Sequence, residues 1–494
     1  MLTFVQNPNF LCSLLVVVIA WCIHRFRITP QPPPNSPPIV PGGLPWIGFA
    51  YRFIFKRHDL LQECRAKYGP IFKVPIAGTY CTVVSSPTAI AAVITKSPRT
   101  LQSLNDRAVR TITGVAPHRV STIASLLQHH VFGIISAKMS KRAMGSFFVG
   151  MSQNLSKRLD HLVPLGTHSQ VQFSLRDLIM ENFYQISAPT FFGTNVPDVY
   201  SEFIHLDNHI FQLLNDIPFI RRGAYHASER LVKAFIPYVQ QASVGDGDIY
   251  VEGASVPLMD SLQQLMKAGI STEEIARIFV AVTWGFHSNI IHTLIDACAY
   301  LASDPIACRS LTKHVRSVIT KRWTDLDTFL KEEPLILDDP EFAILDSLLQ
   351  ETLRVVSVAS SGRKVLRDTA IPREDGTLYW IRKGEFVLAD VAALHNDPEI
   401  YPNPEKFRLD RFLNVEVSYS ARSVKNLVPW GGGPFVCKGR EYAEYIFKAW
   451  FIQLLLKYDV SMPSGYKPSL CQNISPTIAR LAGNPHIILQ RPTP

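Results

Sequence analysis

Apolar residues recur at helical spacing along most of the chain, and the clearest such pattern lies beyond its midpoint. It follows a capping box at residues 271–274 and continues until residues 304–305, Asp-Pro, end it. A helix of about thirty residues spans roughly 45 Å at 1.5 Å per residue, enough to cross a whole domain. Gly285 and the polar residues 287–289 lie at its middle. Polar residues midway along a buried helix usually face a cavity or another polar group.

Alternating patterns predict only a small β portion. Residues 71–85 indicate a hairpin that turns at 77–78, and short strands are expected near 363–368 and 385–389. A last long helix is predicted over 440–458, where apolar residues recur with the 3.6 period of a buried face. The expected fold class is therefore mainly α with a small β portion, built as a single large domain.

The first apolar run has no charge. Residues 10–23 are followed at once by the basic segment 24–27, and no basic residue precedes them. The run is shorter than the roughly twenty residues that a spanning helix needs, although extension back to Leu2 reaches that length. A cleaved signal peptide is the alternative. Because the cations come after the run, its C-terminal side is expected in the cytosol. We therefore predict a membrane anchor over residues 1–27.

Proline dominates the segment that follows. The sequence PQPPPNSPPIVPGGLPWIG occupies residues 30–48. Prolines at this density keep the backbone extended and prevent it from continuing a helix. Residues 28–48 are thus predicted to form a stiff hinge between the anchor and a catalytic body over residues 49–494.

Composition and charge narrow the possible partners. Hydrophobic residues make up 47% of the chain and charged residues 18%, which is enough apolar material for one large buried core. The formal net charge of +9 is dispersed rather than gathered into a stripe, which argues against a nucleic-acid partner. It leaves an anionic membrane surface or an acidic redox partner. The eight cysteines form no CxxC pair, so neither a zinc ribbon nor a regular disulfide framework is indicated.

One cysteine lies in a context that predicts chemistry. Cys437 belongs to the loop PWGGGPFVCKGR, which runs directly into the last helix. Glycines 431–433 let a backbone lie flat against a planar ligand, and Gly439 allows close passage after the cysteine. A thiolate near a helix N-terminus is stabilised by the helix dipole and by free N–H groups, which also tune a metal-bound sulfur. This context outweighs the alternative of a structural cysteine in a glycine-rich turn.

The loop resembles the cysteine loop of the cytochromes P450, with Trp430 where Phe is more usual. Glu351 and Arg354 are similar to the Glu-x-x-Arg pair of that family, and Arg411 matches the arginine that completes its charge cluster. The resemblance covers essentially the whole chain. It implies a cytochrome P450 fold, a structural role for the charge cluster, and haem b with Cys437 as the metal ligand. It also implies that the haem is enclosed by Trp430, Gly431, Gly433 and Gly439.

The central helix carries a narrower resemblance. Its segment TWGFHSN, with Trp284 and Asn289, is similar to the branch that holds prostacyclin synthase and the bile-acid sterol hydroxylases, and the chain resembles a fungal-like microsomal member. By this resemblance Arg363 binds a haem propionate, which suits its forked donors. Gly285 and Phe286 are expected to line the substrate pocket.

Two features depart from the family pattern. Most members carry an acid-threonine pair on the long helix for proton delivery during oxygen activation, and here Ser288 and Asn289 occupy that place. We take these two residues as the catalytic candidates, because Ser288 or a water molecule could relay protons. Phe435 replaces the Arg or His often found two residues before the cysteine, which removes one propionate partner.

The resemblance implies a haem-thiolate monooxygenase. We expect it to hydroxylate a lipophilic small molecule, such as a steroid or terpenoid, in secondary metabolite biosynthesis. Electrons would come from NADPH through NADPH-cytochrome P450 reductase at the endoplasmic reticulum membrane, with the catalytic body in the cytosol. Because the acid-threonine pair is missing, an isomerase or dehydratase that needs no reductase is the alternative. A haem-binding membrane protein without catalysis is the second alternative.

Overall fold

The computed structural model describes most of the chain, namely residues 15, 16, 19, 35–140, 143, 145–164, 170–215, 222–242, 249–323, 328–329, 339–358, 360–413, 426–471 and 477–492. The anchor predicted over residues 1–27 and the first part of the hinge lie outside the described residues, apart from three positions before residue 20. The chain divides into two compact units. Unit 1 comprises Met1–Leu104, Ser360–Leu394 and Gly432–Phe435, and unit 2 comprises Asn105–Ala359, His395–Gly431 and Val436–Pro494.

Helices dominate the described residues, as the sequence predicts. They are α1 (Ala50–Phe55), α2 (Arg57–Tyr68), α3 (Pro87–Thr95), α4 (Asn105–Thr113), α5 (Val120–Leu126), α6 (Phe132–Lys138), α7 (Gly145–Asp160), α8 (Leu175–Phe192), α9 (Tyr200–Asn208), α10 (Ile210–Leu214), α11 (Arg222–Gln241), α12 (Val256–Lys267), α13 (Thr272–Ser303), α14 (Pro305–Arg322), α15 (Ala343–Val356), α16 (Val391–His395) and α17 (Arg440–Lys457).

The strands are short. They are β1 (Ile71–Ile76), β2 (Thr79–Val84), β3 (Leu101–Ser103), β4 (Val171–Ser174), β5 (Ser360–Val365), β6 (Thr369–Pro372), β7 (Leu378–Ile381), β8 (Phe386–Asp390), β9 (Asp459–Ser461), β10 (Leu470–Cys471), β11 (Arg480–Leu481) and β12 (His486–Gln490). The expectation of a mainly α chain with a small β portion is confirmed.

Unit 1 is built on a five-stranded sheet in the order β1-β2-β8-β5-β3. The predicted hairpin forms its edge, with Ile76 paired to Thr79 across the turn at 77–78. Both turn residues, Ala77 and Gly78, have positive φ angles of 47° and 78°. Such angles match the twist of the flanking strands in a two-residue hairpin loop. Strand β8 then pairs in parallel with β2, which places β5 inside the sheet.

Unit 2 is organised around α13. The capping box predicted for its N-terminus is present, since Ser271 and Glu274 each bond to the other's backbone. Asp304 ends α13 and caps α14, because its Oδ1 accepts the N–H groups of Ile306 and Ala307 at 3.0 Å each. Helices α8, α11 and α15 pack against α13. By length and composition this helix could cross a membrane, yet 83% of its most apolar window is buried, as in a core helix.

Candidate functional site

The loop before α17 is closed by its own backbone. The N–H of Cys437 donates to the carbonyl of Trp430 at 2.8 Å, which brings both ends of the glycine run together. Gly431 and Gly433 have φ angles of +69° and +56°, a region that other residues rarely adopt. A Cβ at Gly433 would also lie 2.6 Å from the carbonyl oxygen of Ile94. The glycines are therefore required by the loop itself.

Cys437 differs from the buried cysteines of the described residues. Cys64, Cys81, Cys298 and Cys308 are buried, whereas Cys437 is exposed at the start of α17. The loop nevertheless withdraws water from the sulfur, and this desolvation raises the pKa of the Cys437 thiol, while a hydrogen bond from the backbone of Gly439 lowers it. A metal ion that binds such a thiol displaces its proton.

The loop leaves room at Gly439, two residues after Cys437. A Cβ at Gly439 would meet no protein atom within 4 Å, so its lack of a side chain is not required by protein packing. An exposed soft donor, backbone N–H groups at a helix N-terminus and an open surface next to them are the features that a haem-thiolate ligand needs. The residues of the loop therefore fit a haem, whose iron Cys437 would hold.

Arg363 lies on β5 and is buried. Its guanidinium carbon is 4.4 Å from the centroid of the Phe435 ring, and its Nη1 donates to the carbonyl of Gly362 at 3.0 Å. Among the described residues its Nε has no hydrogen-bond partner. Burial lowers the pKa of Arg363. A buried guanidinium with a spare donor fits an anionic group such as a carboxylate.

Phe435 thus has a role that the sequence interpretation missed. We took it only as the loss of a propionate partner, but its ring supports the Arg363 guanidinium by a cation–π contact. An aromatic residue two positions before the cysteine was the available signal.

The structure brings the predicted charge cluster together. Arg354 binds the carboxylate of Glu351 through two nitrogens, at 2.8 and 2.9 Å, and the Arg411 guanidinium lies 2.9 Å from the same carboxylate. Neither Glu351 nor Arg354 has any exposed surface. Arg354 also donates to the backbone carbonyls of His395 and Pro404, and Arg411 donates to that of Pro402 at 2.9 Å. The cluster ties the loop-rich segment before residue 412 to α15.

Ser288 and Asn289, the predicted catalytic pair, do not share a face of α13. The hydroxyl of Ser288 is buried and donates to Oδ1 of Asp207 on α9 at 2.5 Å. Asn289 is exposed, and its Oδ1 accepts the hydroxyl of Thr477 at 2.8 Å. Gly285, one turn before Asn289, is exposed as well. The open face of α13 therefore carries Gly285 and Asn289, and Ser288 turns away from it.

Phe286, which we expect to line the substrate pocket, is buried. Its ring stacks on Tyr442 at 4.2 Å between centroids and lies 4.5 Å from the ring of Phe191, so it is a core residue. At 3.6 residues per turn, one step along a helix rotates the side chain by about 100°, which takes Phe286 off the face of Gly285.

A buried polar cluster around Asp207 was not expected from the sequence. Besides Ser288, the Asp207 carboxylate accepts hydrogen bonds from Trp284 at 3.1 Å, His292 at 2.8 Å and Arg480 at 3.0 Å. The signal in the sequence was the spacing of four residues between Trp284, Ser288 and His292. Asp207 and Arg480 lie far from them in the chain, and no local pattern points to either.

Comparison with known proteins establishes the family. The family model described as Cytochrome P450 matches residues 30–484, and the chain therefore belongs to the cytochrome P450 family. The solved structure of retinoic acid bound cyanobacterial CYP120A1 superposes with a TM-score of 0.67 at 21% identity, covering 93% of this chain and 100% of that chain. The predicted cytochrome P450 fold is thereby confirmed.

Curated relatives agree with the branch that the central helix indicated. Prostacyclin synthase of Rattus norvegicus is 24% identical over 466 residues, covering 87% of this chain and 88% of the relative. The 5-beta-cholestane-3-alpha,7-alpha-diol 12-alpha-hydroxylase of Sus scrofa is 24% identical over 481 residues, covering 91% of each chain. The 24-hydroxycholesterol 7-alpha-hydroxylase of Homo sapiens is 22% identical over 463 residues, covering 92% of this chain and 93% of the relative. The protein is a haem-dependent cytochrome P450 monooxygenase.

Proposed function

We propose that this monooxygenase hydroxylates a lipophilic small molecule, such as a steroid or terpenoid. The observation that carries the proposal is the open face of α13, where Gly285 and Asn289 are the two exposed positions between residues 281 and 293. Gly285 adds no polar side chain to this face and Asn289 adds one amide, which suits a largely apolar ligand that has few polar groups. Relatives named for sterols support the same class of substrate.

The roles of the residues follow from their chemistry. We assign Cys437 to the iron, Arg363 to a haem propionate, and Trp430, Gly431, Gly433 and Gly439 to the loop around the ligand. The haem, when bound, supplies the oxygen chemistry. Asn289 supplies the polar group on the open face, where its Nδ2 can donate a hydrogen bond to a water molecule or to the substrate. We do not assign proton delivery to Ser288, because its hydroxyl donates its hydrogen bond to Asp207.

The electron source and location belong to the same proposal. We assign electron supply to NADPH through NADPH-cytochrome P450 reductase, and the protein to the endoplasmic reticulum membrane through residues 1–27, with its catalytic body in the cytosol. Dispersed positive charge suits an acidic redox partner and an anionic membrane surface. A place in secondary metabolite biosynthesis completes this proposal.

An isomerase or dehydratase is the second candidate. It is favoured by one observation: Ser288 is turned toward Asp207, so the exposed positions at the middle of α13 present no hydroxyl and no carboxyl. An isomerisation or dehydration that needs no proton from this helix would not require an exposed hydroxyl or carboxyl there.

Membranes from cells that express the full chain with the reductase would distinguish these candidates. A panel of sterols and terpenoids, with 24-hydroxycholesterol included, is screened for substrate-induced shifts of the haem spectrum and then for product. Product that requires both NADPH and O2 supports the monooxygenase, and product formed without NADPH supports the isomerase. A haem spectrum that responds to no compound, with no product, favours the non-catalytic alternative. Membranes that carry Cys437→Ala provide the background.

A further inference from the structure

We propose that Asp207 is a positioning residue that holds Asn289 and Thr477 in place on the open face of α13. This inference rests on the proposed function of that face. Asp207 is completely buried on α9 and accepts four side-chain hydrogen bonds. The donors are the Trp284 indole at 3.1 Å, the Ser288 hydroxyl at 2.5 Å, the His292 imidazole at 2.8 Å and the Arg480 guanidinium at 3.0 Å.

Three of these donors set the rotation of α13. Trp284, Ser288 and His292 follow each other at intervals of four residues, so they form one stripe along the helix. All three bind the same carboxylate, which prevents the helix from turning about its axis. Asn289 is one residue beyond Ser288, about 100° further around the helix. The contact of Ser288 with Asp207 therefore determines the direction in which Asn289 points.

The fourth donor holds a second element. Arg480 lies at the start of β11, three residues after Thr477, and its buried guanidinium donates to the same Oδ1 as Ser288. Thr477 in turn donates its hydroxyl to Oδ1 of Asn289 at 2.8 Å. The two elements that meet at Asn289 and Thr477 are thus both fixed by Asp207. Because Thr477 occupies the amide oxygen, the Nδ2 donor of Asn289 is left for a ligand.

The charges of the cluster favour an ionised Asp207 carboxylate that keeps its four hydrogen bonds. Burial raises the pKa of Asp207, but the hydrogen bond from His292 and the charge of Arg480 outweigh it and hold that pKa well below its usual range. Burial and the nearby Arg480 lower the pKa of His292 to about 4, so it is a neutral donor at neutral pH. Burial raises the pKa of Asp296 on the same helix well above its usual value, which disfavours its anionic form beside Arg480.

The alternative is that Asp207 only stabilises the fold. Two sets of variants separate these possibilities. The first set weakens the hydrogen bonds to Asp207 to different degrees and consists of Asp207→Asn, Ser288→Ala and Arg480→Lys. The second set removes the positioned groups and consists of Asn289→Ala and Thr477→Val. Glu385→Gln is the matched control, because it breaks a buried ion pair, with Lys73 at 2.8 Å, in unit 1. Ser288→Ala removes a single hydrogen bond, so it remains informative if Asp207→Asn does not fold.

Three readouts are taken on haem-containing full-length protein. The first is hydrogen–deuterium exchange of peptides over 284–293 and 477–481, and the second is the affinity for 4-phenylimidazole measured from the haem spectrum. The third is the product formed per NADPH consumed, with the best substrate from the panel. Loss of one hydrogen bond to a charged group corresponds to about tenfold in local opening. We therefore expect exchange in both peptides to rise about tenfold in Ser288→Ala.

We also expect Ser288→Ala and Asn289→Ala to lower the product per NADPH to a similar degree, and the double variant to be no worse than Asn289→Ala alone. Such non-additivity identifies two residues that act through one group. The inference is overturned if Ser288→Ala and Arg480→Lys lose thermal stability, as Glu385→Gln does, but keep normal exchange, azole affinity and coupling. If even the wild type forms no NADPH-dependent product, the proposed function fails, while exchange and azole binding still decide the role of Asp207.

Discussion

The Arg411 guanidinium lies 2.9 Å from the carboxylate of Glu351, a residue that precedes it by 60 positions in the chain. Arg354 binds the same carboxylate from one helical turn away. A long-range contact and a local one thus converge on one buried anion. The two arginines neutralise it and in addition satisfy carbonyls of the segment between residues 395 and 406.

Glu351→Ala and Arg354→Ala should therefore yield little folded holoprotein. Removal of one partner from a buried ion pair costs about 3–5 kcal/mol, a large share of the roughly 5–15 kcal/mol by which proteins are stable. The measurement is haem content per expressed protein. Asp410→Ala, in an exposed pair with Arg408, serves as the control, and we expect it to change stability by less than about 0.5 kcal/mol. A variant with normal haem content and lost turnover would contradict the structural role of the cluster.

Cys437→Ala should abolish the thiolate spectrum. Without the sulfur, no other side chain of the loop offers a soft anionic ligand, so the reduced carbon monoxide complex should lose the absorption band typical of a thiolate. Cys471→Ala is the matched control, since Cys471 lies in β10 and is only partly exposed. We expect that variant to keep the band. Retention of the band in Cys437→Ala would show that the iron ligand lies elsewhere.

Local patterns in the sequence predict the elements of this fold well. The capping box of α13, the hairpin of β1 and β2 and the glycine loop before α17 are each encoded within a few residues. The orientation of side chains within α13 is not encoded locally, because it depends on partners that are distant in the chain. Ser288 turns inward to bind Asp207, 81 residues before it. Phe286 packs in the core against Phe191 and Tyr442, and the sequence around position 286 indicates neither contact.

Stability should depend on pH through His287. Its Nδ1 donates to the carbonyl of Thr283 at 2.7 Å, and its ring lies 4.9 Å from that of Tyr184. Burial lowers the pKa of His287 from 6.5 to about 4. Above the pKa of His287 in the unfolded chain, about 6.5, neither the folded nor the unfolded protein binds the proton, so the full stability is present. Below it the unfolded state alone is protonated, and stability is lost as the pH falls toward 4, by about 1.4 kcal/mol per pH unit.

His287→Gln isolates this contribution, because glutamine does not titrate. Near pH 7 the variant should be the less stable protein, since it gives up the packing of the ring. The difference in free energy of unfolding between the wild type and His287→Gln should narrow by about 2 kcal/mol between about pH 6.5 and about pH 5, because only the wild type loses this stability. Urea unfolding at several pH values measures it. A difference that is constant over this range would show that His287 titrates normally in the folded protein.

Deletion of residues 1–27 should shift the protein partly off membranes and spare its haem spectrum, because the proline-rich hinge separates the predicted anchor from the body. Some membrane binding should persist through apolar side chains at the end of the hinge and just after it, where Leu44 is 61% exposed and Tyr51 is 64% exposed. Sedimentation with microsomes measures the bound fraction. In the truncated chain, the added changes Leu44→Ser and Tyr51→Ser should release much of the remainder. A truncation that loses its haem would instead make the segment part of the fold.

Gly285→Ala should stabilise the protein and weaken substrate binding at the same time. A Cβ at this position meets its nearest atom, Cζ of Phe132, at 3.9 Å, which is ordinary contact, so the folded state accepts it. Alanine inside a helix is more stable than glycine by about 0.5–1 kcal/mol, and thermal unfolding should show that gain. The added methyl group projects from the open face that carries Asn289, where it occupies space that we assign to the substrate.

Gly150→Ala in α7 is the matched control for this prediction. A Cβ at Gly150 has no atom within 4 Å, so the helix gains the same propensity and no candidate site is filled. We expect both variants to unfold at a higher temperature and only Gly285→Ala to weaken the substrate-induced shift of the haem spectrum, with a larger effect for Gly285→Leu. Equal substrate affinity in Gly285→Ala, Gly285→Leu and the wild type would show that this face of α13 does not line the substrate pocket. The assignment of Asn289 to that pocket would then fail as well, since both residues lie on the same face.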